Sequence, residues 1–155
     1  MDWRCPAWRR ALHTGVLPSK YAEAIAISES GKGQLDVQFD GDALSRAAVS
    51  RMEKVIDEVE HRSGISREHV GAFATHQPNP RLVALLAKHL RVSLKHFPPI
   101  GTIKGNLGSS MCGAALHAAL RHAATQPAEQ RLPVFLASLG PGLIFGGGWV
   151  VPVTA

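Results

Sequence analysis

Short apolar runs alternate with stretches of helical period along most of these 155 residues, and that alternation predicts an α/β fold. Helical crossovers between successive strands predict a mixed, mostly parallel sheet with helices on both faces. The last two apolar runs are separated only by Gly140-Pro141-Gly142, a turn too tight for a crossover, so they should close the sheet as an antiparallel hairpin.

Residues 1–33 read as an irregular lead-in or the remainder of a preceding half, and residues 34–155 as one domain. Residues 1–20 have no clear period, and Pro6 and Pro18 interrupt them. Tyr21 to Ser28 alternates loosely, as a strand would, and Gly31-Lys32-Gly33 reads as a turn. Leu35 to Phe39 alternates apolar and polar, the pattern of a half-buried strand. From Ala43, Leu44, Ala47, Ala48, Met52, Val55, Ile56 and Val59 follow helical spacing, with Gly41 or Asp42 as the cap and Ser63-Gly64 as the stop. Ser66-Arg67-Glu68 connects to a buried strand, Val70 to Ala74.

A second helix is expected from about Asn79 to Leu90, with Asn79 as N-cap and Pro80 at the first helical position. Phe97-Pro98-Pro99-Ile100 leads to a short strand, an edge or irregular one because of its prolines. The third helix begins near Ser109 and is rich in small residues (Ser110, Gly113, Ala114, Ala115, Ala118, Ala119), which suits a central, buried position. Val134 to Leu139 and Leu143 to Val151 are the hairpin strands.

Composition excludes several classes. Hydrophobic residues are 45% and charged residues 19%, a globular balance rather than a disordered one. The net charge of +5 is scattered, densest at Arg4, Arg9 and Arg10, with a single Tyr in the chain. That lacks the basic stripe and interleaved aromatics of a nucleic-acid binder; an acidic protein partner fits the excess as well. No apolar run reaches the roughly 18 residues of a membrane span. Met1 to Arg10 has no apolar core of a secretory signal, and two cysteines make no disulfide framework, so a cytoplasmic setting is expected.

The glycine-rich pieces do not make phosphate loops. Gly140-Pro141-Gly142 does not continue as GxGxxG, and Gly101 to Gly105 lacks the Lys-Ser/Thr of a P-loop. The eight His are dispersed, without HExxH or a Cys pair at metal spacing, so neither a metal site nor a cofactor is expected. Cys112 sits among small apolar residues inside a helix, the setting of an inert thiol, and Cys5 has no local base. There is no GxSxG nucleophile elbow.

His76 and Asn106 carry the strongest chemistry. Each follows a short apolar run, and in a layered α/β fold successive strand ends emerge on one edge of the sheet. A His and an Asn, 30 positions apart in sequence, can then meet and donate hydrogen bonds to one developing oxyanion. A satisfied loop histidine and an ordinary turn asparagine fit the same spacing, which by itself does not separate the two.

Four features in order add a resemblance: the helix Ala43 to Arg62 leading into a strand, His76-Gln77-Pro78-Asn79-Pro80-Arg81, Gly105-Asn106 before a small-residue helix, and Leu139-Gly140-Pro141-Gly142-Leu143. Over roughly residues 35–151 the chain resembles the C-terminal half of the ketoacyl-acyl-carrier-protein synthase III group, within the thiolase-like fold. The resemblance implies one half of a duplicated fold whose other half supplies a nucleophilic Cys. It makes His76 and Asn106 the catalytic pair: they bind a thioester carbonyl and stabilise the enolate left by loss of carbon dioxide, which attacks an acyl-Cys. It places Gln77, Asn79, Arg81, Gly140 and Gly142 against the substrate. It implies acyl carrier protein or coenzyme A thioesters as partners, decarboxylative condensation in fatty acid or secondary metabolite biosynthesis, and a homo- or hetero-oligomer that includes a Cys-bearing half or subunit.

Two departures qualify it. Neither Cys5 nor Cys112 matches the nucleophile, and without an acyl-Cys there is no condensation. Pro141 stands where the group has Gly and offers no N–H; the Gly-Pro-Gly form is similar to the chalcone-synthase-like type III polyketide synthases. The rival readings are a non-catalytic remnant or structural partner of a related synthase, and a Cys-independent decarboxylase or hydrolase. A lone half would also bare apolar surface, with the third helix the foremost candidate, and so favour association.

Overall fold

The computed structural model describes residues 13–16, 25–30, 34–139 and 144–151. In chain order the elements are β1 (His13–Val16), β2 (Ile25–Ser30), β3 (Gln34–Phe39), α1 (Gly41–Ser63), β4 (Ala72–Thr75), α2 (Pro80–Leu90), α3 (Ile100–Lys104), α4 (Met111–Ala124), β5 (Val134–Leu139) and β6 (Ile144–Val150). The main sheet has the order β1-β6-β5-β4; β2 and β3 pair separately as a two-stranded antiparallel sheet.

The α/β class, the mixed sheet and the antiparallel β5–β6 pair are as the sequence predicts. Among the described pairings of the main sheet, β4–β5 is parallel while β5–β6 and β1–β6 are antiparallel. Two strands account for this balance. His13–Val16, within the stretch read as an irregular lead-in, is the edge strand beside β6. The alternating run ending at Phe39 pairs with β2 instead of joining the main sheet. The turn expected at residues 31–33 lies outside the described residues.

Local chemistry explains the helix ends. Asp40, rather than Gly41 or Asp42, caps α1: its Oδ1 accepts the Ala43 N–H at 2.9 Å. Gly64 ends α1 at φ 72°, with its N–H donating to the Glu60 carbonyl. Asn79 caps α2 as expected, accepting the Leu82 N–H at 2.8 Å, with Pro80 at the first helical position.

The expected short strand before Asn106 is absent. Pro98 and Pro99 supply no N–H to a ladder, and Ile100–Lys104 turns instead into the one-turn helix α3.

The sheet carries two unlike layers. On one face Val55, Ile56 and Val59 of α1, and Val83, Leu86 and Leu90 of α2, pack on Phe73, Phe135, Phe145 and Trp149. The Phe135 ring meets Trp149 edge-on at 4.9 Å and Phe73 at 5.9 Å, and Phe73 stacks on Phe97 at 5.2 Å. Trp149 Nε1 donates to Ser63 Oγ at 2.8 Å, tying β6 to the end of α1. Gly147 lets α1 lie close, since a Cβ there would come within 2.6 Å of Val55 Cγ1.

The other face is thin: Ala115 and Ala119 of α4 sit on Ala72, Ala74 and Val134. Burial on α4 is confined to one stripe, Met111, Ala115, Ala119 and Ala123. The small-residue helix is therefore buried along a single side in this chain, with Gly113, His117 and Arg121 exposed.

Candidate active site

β4 is buried along its whole length and delivers His76 at its C-terminal end. The strand's apolar side chains fix where the imidazole leaves the core. His76 is half-buried beside a narrow cleft of about 30 Å³ lined by Ala48, Val49, Met52, Leu82, Val83, Leu86 and Leu139. Burial pushes its pKa below the ordinary histidine value, because an apolar wall disfavours the charged ring. The ring is therefore neutral at pH 7 and carries one N–H donor and one acceptor.

Gln77 is the next residue and turns the other way. It is 1% exposed, with both ends of its amide engaged: Nε2 donates to the Pro98 carbonyl at 2.8 Å and Oε1 accepts the Gly101 N–H at 3.0 Å. The resemblance placed Gln77 against substrate; its side chain is instead committed to the chain's own backbone. Asn79 is exposed, with Oδ1 committed to the α2 cap, and Arg81 is exposed in the first turn of that helix. Asn106 lies beyond α3 in an exposed turn, where Oδ1 accepts the Gly108 N–H at 2.9 Å. Gly140 and Gly142 lie outside the described residues; Leu139, which precedes them, lines the cleft beside His76.

Cys112 is unsuited to act as a nucleophile. It lies in α4 with Sγ 3.5 Å from the Ala137 carbonyl, and burial pushes its pKa up, partly offset by a hydrogen bond with Ser138. The thiol form dominates at pH 7, and only the thiolate attacks. Among the described residues no group of three His, Cys, Asp or Glu is placed to hold a metal ion, and no helix is long and apolar enough to cross a membrane.

A larger cleft of about 690 Å³ lies near the entry to β4, lined by Glu53, Glu60, Arg67, Lys88 and Arg91 among others. Arg67 is held there by Glu60 and Asp57. None of the residues singled out from the sequence as site residues lines it, and its ion pairs account for much of its polarity.

Sequence reasoning missed two features around His76. One is the Gln77 joint to Pro98 and Gly101; the resemblance marked Gln77 as a substrate contact, and no sequence signal pointed to this bonding. The other is Thr75, wholly buried next to His76, whose hydroxyl has no partner among the described residues.

Comparison with known proteins gives the family and the fold. Residues 61–151, which include His76, Asn106 and β4 to β6, match the family model for the 3-oxoacyl-[acyl-carrier-protein (ACP)] synthase III C terminal. A beta-ketoacyl-[acyl-carrier-protein] synthase III from Haemophilus ducreyi is 28% identical over 128 residues, covering 82% of this chain and 40% of that protein. The priming beta-ketosynthase of the R1128 polyketide pathway superposes with a TM-score of 0.75 at 22% identity, over 92% of this chain and 45% of that one. A type III polyketide synthase, the 1,3,6,8-tetrahydroxynaphthalene synthase of Streptomyces coelicolor A3(2), gives 0.69 at 19% identity, over 93% of this chain and 40% of that one. The chain thus spans less than half the length of these proteins and has the fold of their C-terminal half, a thiolase-like one. With the family model matched across the segment that carries His76, the α3 turn and the closing strands, the chain belongs to the 3-oxoacyl-[acyl-carrier-protein] synthase III C-terminal family.

Proposed function

We propose that this chain is the His/Asn half of a synthase III-like acyltransferase that performs decarboxylative condensation of acyl thioesters. It works with a Cys-bearing half that is not among these 155 residues. The observation that carries the reading is His76: a neutral imidazole at the end of a fully buried strand, facing an apolar cleft. A neutral ring beside a water-poor wall is suited to donate an N–H to a thioester oxygen as it becomes an enolate oxyanion. A charged ring would hold that oxyanion too strongly to release it to the next step. Asn106, with Oδ1 fixed on the Gly108 N–H, has its amide N–H groups available as the second donor. Arg81 and Asn79, exposed at the start of α2, and Gly140 and Gly142 of the Gly-Pro-Gly segment after Leu139 would meet the arriving carrier protein or coenzyme A thioester. The setting proposed is cytoplasmic, in fatty acid or secondary metabolite biosynthesis, within a homo- or hetero-oligomer.

The test supplies the Cys-bearing half of a related synthase in trans and measures condensation. His76→Ala should lower kcat by about 10²–10³-fold, the usual loss for one oxyanion donor, and Asn106→Ala by a similar factor. Restored condensation that survives His76→Ala would overturn the role of His76. Binding of the Cys-bearing half with no condensation under any condition would favour the second reading, a structural partner. The high pKa of Cys112 supports that reading to this extent: no thiol described in this chain can replace the missing nucleophile.

A further inference from the structure

We infer that Gln77 is a positioning residue: it fixes the Asn106-bearing segment to the strand end that carries His76, through a two-ended clamp on Pro98 and Gly101. The inference rests on the proposed pairing of His76 with Asn106, but its main test does not depend on turnover.

The segment after Gly101 has little else to hold it. Gly101 is buried, and every residue from Thr102 to Ser110 is exposed; the next buried anchor is Met111 at the start of α4. Asn106 lies in the middle of that exposed stretch. At its near end the Gln77 side chain donates through Nε2 to the Pro98 carbonyl at 2.8 Å and accepts through Oε1 from the Gly101 N–H at 3.0 Å. The bond to the Gly101 N–H is buried and the bond to the Pro98 carbonyl partly so, and an unmade bond at Gly101 leaves a buried backbone group without a partner.

Packing makes the joint tight as well as bonded. A Cβ on Gly101 would stand 2.7 Å from the Gln77 carbonyl oxygen and 3.0 Å from Gln77 Cβ. The residue beside His76 and the second residue of α3 therefore approach too closely for a side chain between them. Because His76 and Gln77 share one peptide unit, a shift of Gln77 relative to Gly101 is a shift of His76 relative to the stretch that leads to Asn106.

The clamp has a specific chemical requirement. It needs one donor and one acceptor on a planar group at this side-chain length, which a Gln amide provides. A protonated carboxylic acid provides the same pair; a carboxylate has no donor and would set an anion against the Pro98 carbonyl. Gln77→Glu should thus turn a fixed clamp into one that depends on pH. Burial raises the folded-state pKa of the introduced carboxyl. Its clamp is then present at low pH and lost as pH rises through that raised value.

The experiment is amide exchange and ¹⁵N NMR on the isolated chain. In the native chain the Gly101 amide should be protected, and the Asn106 side-chain amide and Gly108 amide should each give one signal. Gln77→Leu should speed exchange at Gly101 by roughly fivefold to tenfold, as loss of one hydrogen bond does, and shift or broaden Asn106 and Gly108. Signals from Val55 and Phe135 should stay in place. Gln77→Glu should show the same changes at pH 7.5 and lose them at low pH, with the native chain titrated alongside because His76 changes charge in that range.

Unchanged Asn106 and Gly108 signals in folded Gln77→Leu, or no pH dependence in Gln77→Glu, would overturn the inference. If Gln77→Leu does not fold, Gly101→Ala decides: it keeps the amide but forces the joint apart, and unmoved Asn106 signals would again overturn the clamp. In an enzyme reconstituted with a Cys-bearing half, Gln77→Leu should lower kcat by about 100-fold with KM little changed, the mark of lost alignment. If reconstitution fails or His76→Ala has no effect there, the proposed function fails while the exchange results still settle the clamp.

Discussion

His76 and Asn106 are held in different ways. His76 follows a strand whose four residues are all buried, among them Phe73, whose ring meets those of Phe97 and Phe135. Asn106 sits in a stretch where every residue from Thr102 to Ser110 is exposed, and its side chain accepts the Gly108 N–H two residues onward. An oxyanion site depends on donors that do not have to reorganise when charge develops. In the proposed site His76 would be preorganised by the hydrophobic core, and Asn106 by the buried Gln77 amide and, in the assembly, by whatever covers the exposed turn.

The contrast is sharpest in stability. Phe73→Ala should remove about 3–5 kcal/mol, the range for emptying a large aromatic site in a packed core. Urea unfolding checks it, and a loss below about 1 kcal/mol would show that the His76 side is less rigidly held than its burial indicates. The two asparagines give a smaller and cleaner comparison, because each accepts a backbone N–H through Oδ1, at 2.8 Å for Asn79 and 2.9 Å for Asn106. Asn79→Ala should cost about 1 kcal/mol, since it uncaps an eleven-residue helix packed on the core. Asn106→Ala should stay within about 0.5 kcal/mol, since its turn is exposed and supports no packed element. Equal losses in the two variants would erase the distinction between the regions.

The sequence shows the His76 region more fully than the Asn106 region for the same physical reason. Apolar periodicity reports burial, so α1, β4, α2 and the closing strands are legible from Val55, Phe73, Leu86, Phe135 and Trp149. Asn79-Pro80 marks its helix start because cap chemistry is local. Asp40 was missed by one position, since Asp40, Gly41 and Asp42 all suit a cap. The run through Pro98 and Pro99 carries no period, and only three-dimensional contact with Gln77 shows that it turns into a helix and is clamped. Pairing partners were illegible for a related reason: nothing in the alternation of Leu35 to Phe39 says which strand it will join. His76 and Asn106 themselves stood out by residue type and by resemblance; Gln77 stood out by resemblance too, but as a substrate contact, and nothing in the sequence links it to Gly101.

The smallest expected effect concerns the protonation of His76. Its folded-state pKa is depressed by burial, so the unfolded chain binds a proton that the folded chain resists. Folding stability attributable to this group is therefore present above the ordinary histidine value, near 6.5, and is lost as pH falls through the depressed one. The cleft around the ring is lined by Ala48, Val49, Met52, Leu82, Val83, Leu86 and Leu139, with no carboxylate among them to favour the charged form. His76→Gln removes the titrating group while keeping a polar side chain. Between pH 7.5 and pH 5 the urea midpoint of the native chain should fall by more than that of the variant. An equal fall would mean that the imidazole takes up its proton in the folded chain as readily as in the unfolded one. A ring so well hydrated would not be the water-shielded donor that the His76 half of the pair requires, and the asymmetry between the two donors would then rest on packing alone.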